Sequence, residues 1–152
     1  MYLNLGITYI KDFELLKGLT NLQDLTLTST EITDLEPLRG LTNMQKLCLI
    51  DTAVSDLEPL KKMKNLQKLI IDFTDVTNIE PLKELSNLEY LNLNGLNIVD
   101  LQPIKELKKL KILFGPVYIS DGQKQDLQKA IENLQITSVG PVGNFHSIRG
   151  KF

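Results

Sequence analysis

The sequence predicts an α/β solenoid: a right-handed superhelix with a parallel sheet on its concave face, short helical turns on its convex face, and a helical cap at the C-terminal end. Two observations predict it. The first is a fixed step of 22 residues. Leu22 is followed by Met44, Leu66, Leu88 and Leu110, Leu25 by Leu47, Leu69, Leu91 and Leu113, and Pro37 by Pro59, Pro81 and Pro103. Self-similarity at such a period marks stacked units, none of which can bury its apolar face alone. The second is a change of period inside each unit. Leu25 and Leu27 alternate with polar residues, as in a strand, whereas Ile32, Leu35, Leu38 and Leu41 recur every three, which suits a 3₁₀ or short α turn.

The elements follow in order. Residues 1–21 are a worn first unit in which Leu15 stands where proline is expected. Terminal units usually need a polar cap, yet the apolar strand Tyr2–Leu5 starts at the chain end. Two readings stay open: an uncapped edge that pairs with another molecule, or a first unit that once had an N-terminal piece before it. Residues 22–109 are four clean units. In each, proline takes the place of a first helical residue, where its missing N–H costs nothing. Residues 110–139 are the last unit and its cap. Ser120 or Asp121 starts a helix through about Asn133, with Leu127, Ala130, Ile131 and Leu134 as its apolar stripe, and Ile136–Val139 reads as a last strand. Residues 140–152 have no period and read as an irregular tail. Its Phe145, Ile148 and Phe152 allow it to dock back on the body.

Composition narrows the function classes. Hydrophobic residues make up 42% and charged residues 24% of 152, an ordinary globular mixture for one domain. The net charge of −2 provides no global field to recruit nucleic acid or an anionic membrane. No apolar run is long enough to span a bilayer, and MYLNLGITYI has no secretory leader pattern. With Cys48 as the single cysteine, the expectation is a cytoplasmic protein, or a secreted one whose leader has been removed.

The repeat consensus is L-x-x-L-x-L-x-x-T-x-I/V-x-D-L-x-P-L-x-x-L-x-N. It resembles the 22-residue class of leucine-rich repeats, seen in the phosphatase regulator SDS22 and in bacterial internalins. The resemblance covers about residues 1–119, and the segment SDGQKQDLQKAIENLQI resembles the helical ending of bacterial members. There is one departure. Where the family most often has asparagine, this chain has Thr8, Thr30, Thr52 and Thr74, then Leu96 and Tyr118. The resemblance implies a leucine-rich-repeat solenoid and recognition of proteins, without naming the partner.

Three columns of residues at the 22-residue step should line the concave face. They are Tyr2, Asp24, Lys46, Lys68, Tyr90 and Ile112; Asn4, Thr26, Cys48, Ile70, Asn92 and Phe114; and Gly6, Thr28, Ile50, Asp72, Asn94 and Pro116. They depart from the repeat consensus, as a binding face would. Ile50, Ile70, Phe73, Tyr90, Ile112 and Phe114 gather toward the C-terminal half as an apolar and aromatic patch. The candidate protein-binding residues are Lys46, Ile50, Lys68, Ile70, Asp72, Phe73, Tyr90, Asn92, Ile112 and Phe114. Against this stands the bland account that a sheet face tolerates scattered Ile and Phe, or that the tail covers them.

Other columns have structural explanations. Lys17, Arg39, Lys61, Lys83 and Lys105 resemble a nucleic-acid stripe. Glu14, Glu36, Glu58 and Glu80, then Gln102, lie three residues earlier, so ion pairing on the helical turns accounts for them better. Asp34, Asp56, Asn78 and Asp100 recur before each turn and read as caps of backbone N–H groups rather than calcium ligands. Catalysis lacks parts. His146 lies in the tail, no histidine stands near Cys48, and no phosphate loop, metal-ligand spacing or nucleophile elbow is present. The sequence therefore predicts a non-catalytic scaffold for a protein partner, with no cofactor, metal or small-molecule substrate. The alternative is a structural module that forms a homodimer or a longer solenoid through its N-terminal edge.

Overall fold

A computed structural model of the chain describes residues 1–137. Seven strands in this range form one parallel sheet in sequence order: β1 (Tyr2–Asn4), β2 (Asp24–Thr26), β3 (Lys46–Cys48), β4 (Lys68–Ile70), β5 (Tyr90–Asn92), β6 (Ile112–Phe114) and β7 (Gln135–Thr137). From β1 to β6 the register is the 22-residue step itself, with Leu25 opposite Leu47 and Leu69 opposite Leu91. The solenoid expected from the repeat is the fold observed.

The central residue of each strand points into the core. Leu25, Leu47, Leu69, Leu91 and Leu113 are fully buried, as are Leu27, Leu49, Ile71 and Leu93 two residues on. After each of β1 to β5 the chain bends through a left-handed residue: Ile7, Ser29, Asp51, Phe73 and Gly95 all have positive φ. The threonine that follows secures the bend. The hydroxyls of Thr30, Thr52 and Thr74 donate to the carbonyls of Leu27, Leu49 and Ile71 at 2.8–2.9 Å, and Thr8 does the same to Leu5. A buried polar side chain needs such a partner. Leu96 takes the same place without a hydroxyl and fills the core instead.

The return path uses 3₁₀ turns at Phe13–Gly18, Glu36–Leu38, Glu58–Lys62, Glu80–Glu84 and Gln102–Glu106. Asp34, Asp56, Asn78 and Asp100 each accept the backbone N–H two residues on, at 2.8–2.9 Å, which is the capping role expected of them, and Asp12 does the same in the first unit at 3.0 Å. The glutamates and basic residues on these turns pair as expected: Glu14 with Lys17, Glu36 with Arg39, Glu58 with Lys61 and Glu80 with Lys83. Bonding to Arg39 holds the Glu36 carboxyl below its usual range. A second ladder ties unit to unit: Asn43, Asn65 and Asn87 donate side-chain N–H groups to the carbonyls of Thr20, Thr42 and Lys64 at 2.7–3.1 Å.

At the C-terminal end, helix α1 (Asp121–Ala130) replaces the bend and turn. A capping box starts it: Ser120 accepts from Gln123 N–H at 3.1 Å, and Gln123 Oε1 accepts from Ser120 N–H at 3.0 Å. The helix ends three residues before the expected Asn133, because Ile131 turns extended and Asn133 adopts positive φ. This returns the chain to the sheet, where Gln135 pairs with Ile112 after 23 residues rather than 22. Leu127, Ile131 and Leu134 pack on the core as expected, whereas Ala130 is only partly buried. Tyr118, although in phase with Leu96, is exposed, since the repeat breaks before α1. Val139 of the expected last strand, the boundary at 139/140, and the expected irregular tail with His146, Phe145, Ile148 and Phe152 lie outside the described residues.

The first unit differs from the others. Met1, Tyr2, Ile7, Tyr9 and Leu15 are exposed, and Leu3, Leu5, Phe13 and Leu19 are only partly buried. Leu15 is 72% exposed, whereas its counterparts Pro37, Pro59, Pro81 and Pro103 are buried.

Candidate protein-binding face

The three predicted columns lie side by side on one face of the sheet, because alternate residues of each strand point the same way and the register never slips before β6. The depth of their side chains differs from expectation at three positions. Ile70, Asp72 and Asn92 are 3%, 5% and 6% exposed, so they form the floor of the face rather than its surface. In-register strands are about 4.8 Å apart, so larger neighbours on both sides cover a middle side chain. Lys46 and Phe73 are exposed, and Ile50, Lys68, Tyr90, Ile112 and Phe114 are half-buried.

Above this floor stands a continuous stack. The Lys68 ammonium lies 4.5 Å from the centroid of the Tyr90 ring, and the Tyr90 and Phe114 centroids are 5.7 Å apart with their planes tilted by 42°. Both contacts are favourable, the first as a cation–π pair and the second as an inclined aromatic pair. The phenol of Tyr90 is pushed up by burial and, to a lesser degree, by the neighbouring Asp72 carboxylate. Lys46 leans toward Asp24 at 3.7 Å, extending the polar rim on the N-terminal side.

Two features of this face were not singled out from the sequence. The Phe73 ring rests on Gly95: a Cβ at position 95 would lie 2.5 Å from two ring carbons. Gly95 is the one glycine in the left-handed column of Ile7, Ser29, Asp51 and Phe73, and that was the available signal. The other feature is the pair beneath the stack. Asn92 Nδ2 donates to Asp72 Oδ2 at 2.8 Å, and Asn92 Oδ1 accepts from Asn94 N–H at 3.0 Å. Among the described residues Asp72 Oδ1 has no hydrogen-bond partner. Burial pushes the Asp72 carboxyl up from 3.8 to about 7, although its own backbone N–H and Asn92 favour the charged form.

Cys48 is half-buried, with its Sγ 3.4 Å from Thr28 Oγ1. A shallow cleft between the turn Gln102–Glu106 and α1 is lined by Val99, Lys105, Gln123 and Asp126. Among the described residues no group of three or more His, Cys, Asp or Glu side chains could hold a metal ion. Nor is any described helix long and apolar enough to cross a membrane. Several lysines outside the turn column also have partners: Lys64 bonds Glu84, Lys111 bonds Glu89, and Lys109 bonds Asn87.

The geometry defines a leucine-rich-repeat solenoid, and solved structures agree. Internalin C2 from Listeria monocytogenes is 30% identical over 95% of this chain and 66% of its own, with a TM-score of 0.80. Internalin F from the same organism is 31% identical over 87% of this chain and 41% of its own, with a TM-score of 0.73. A leucine-rich-repeat protein from Leptospira interrogans superimposes with a TM-score of 0.77 over 90% of this chain and 36% of its own. At 24% identity it supports the fold alone. The chain thus spans from about one third to just under two thirds of these relatives. No protein-family model and no curated protein sequence matches it. The chain belongs to the leucine-rich-repeat proteins. Protein binding is the typical role of this fold.

Proposed function

We propose that this chain is a non-catalytic scaffold that recognises a protein partner through the concave sheet face. The observation that carries this reading is the half-buried stack of Lys68, Tyr90 and Phe114, flanked by Ile112 and by Phe73, a residue 42% exposed. Aromatic side chains on a rigid sheet lose little entropy on binding and are the residue types that dominate interface energies. Partner capture should be lost with Tyr90→Ala and Phe114→Ala together. Truncating two half-buried rings costs about 3–5 kcal/mol of stability together, half of what two fully buried rings would cost, and a cooperative urea transition in the double variant checks that it is folded. Capture that persists in the folded double variant would place the interface elsewhere.

A second reading is favoured by the exposed first unit: association of two copies through the β1 edge. The β1 backbone, with the exposed Met1, Tyr2 and Ile7 beside it, offers a template for pairing. Light scattering at rising concentration should show a dimer that Leu3→Lys abolishes. A monomer at every concentration removes this reading.

A further inference from the structure

Resting on the proposed role of the sheet face, the geometry points to a specificity-determining residue in its floor: we propose that Asp72 takes a lysine or arginine side chain presented by the bound protein beside Tyr90. The argument begins with an imbalance. Asp72 is 5% exposed, and among the described residues Oδ1 has no hydrogen-bond partner while Oδ2 has Asn92 at 2.8 Å. Neither protonation state is satisfied by these neighbours. The anion lacks a cation, and the neutral acid has no acceptor at Oδ1 for its hydroxyl. Buried polar groups are nearly always paired, and an ionised one calls for an opposite charge.

The face cannot provide that charge itself. Its cations, Lys46 and Lys68, stand in the first column. The Lys68 ammonium is engaged over the Tyr90 ring, 4.5 Å from its centroid, and among the described residues it makes no ion pair with Asp72, whose Oδ1 has no partner. The second and third columns hold no cation, nor does the left-handed column beyond them. The titratable groups of this part of the face are Cys48 and Asp51 on the β3 side, Tyr90 on the β5 side, and Lys68 on β4, a cation that is turned to the Tyr90 ring. An incoming ammonium or guanidinium would meet in Asp72 a charged acceptor for its N–H groups. Carboxyl torsions are soft, so rotation about Cβ–Cγ exchanges the two oxygens without moving the backbone. The buried Asp72 carboxyl, held up at about 7, should then release its proton more readily when the cation arrives.

The test follows the Asp72 carboxyl carbon by NMR through a pH titration of the full chain. The probe is N-acetyl-arginine amide, with N-acetyl-citrulline amide as its neutral control at matched ionic strength. The proposal expects the arginine probe to lower the titration midpoint by about 0.3 or more, a twofold loss of proton affinity, and the citrulline probe to leave it in place. Equal midpoints with both probes overturn it. So does a midpoint that rises without any probe in the chain carrying Arg149→Gln and Lys151→Gln, which would mean that the chain's own tail supplies the cation. An unmoved midpoint alongside capture that still depends on Tyr90 and Phe114 would sink the charge-reading role alone. A lowered midpoint alongside capture indifferent to both rings would separate the cation site from recognition and refute the assignment as stated.

Discussion

Replacing Asp72 with asparagine isolates the energetic consequence of burying that carboxyl. Asparagine keeps the shape and can accept the Asn92 amide, but it cannot ionise. In the folded chain the acid titrates near 7 rather than 3.8, chiefly because burial disfavours the charge. The folded state therefore holds its proton more tightly than the unfolded state between these two values. The sign follows directly. The contribution to stability is fully present below pH 3.8 and is lost progressively as pH rises through about 7. The whole interval corresponds to roughly 4 kcal/mol, and water reaching the site trims this to about 2–4 kcal/mol. Other carboxylates, such as Glu36 and Glu84, are held low by Arg39 and Lys64 and push the pH dependence in the opposite direction. The difference between Asp72→Asn and the unaltered chain cancels them. Urea unfolding of both proteins at pH 4, 6 and 8 measures that difference. The variant should gain about 2–4 kcal/mol on the unaltered chain between pH 4 and pH 8. A difference that stays flat across this range would show that Asp72 is hydrated or already paired, and the reasoning from burial would be wrong.

Two further outcomes concern the fold. Gly95→Ala puts a Cβ into the Phe73 ring and a side chain on a left-handed residue, so it should cost about 1–3 kcal/mol and disturb Phe73 resonances first. Leu91→Ala, at the centre of β5 and fully buried, should cost about 2–5 kcal/mol, read as a lowered urea midpoint.

The fold was legible because one number, the 22-residue step, sets register, bend and turn together. Thr30 and Thr52, Asp34 and Asp56, and Pro37 and Pro59 each do in the structure what their place in the repeat implied. The site was legible in direction and not in depth. Strand alternation says that Ile70, Asp72 and Asn92 point to the concave face. It does not say how far their neighbours close over them, because that depends on side-chain volumes in two adjacent strands. The Asp72–Asn92 bond joins residues 20 apart, two short of the repeat step, so a column-by-column reading does not bring them together. The helix end at Ala130 was missed for a related reason. The apolar stripe continues through Ile131 and Leu134, but the chain must turn extended there to reach the sheet edge at Gln135.

Recognition through the sheet face is tested most directly by photo-cross-linking. A photoreactive phenylalanine analogue at position 114 is compared with the same analogue at position 61 on the convex turns, both exposed to lysate of the source cells. The account predicts a discrete cross-linked protein at position 114 that is absent at position 61 and is competed away by excess unlabelled chain. Equal labelling at both positions, or labelling confined to position 61, would contradict it.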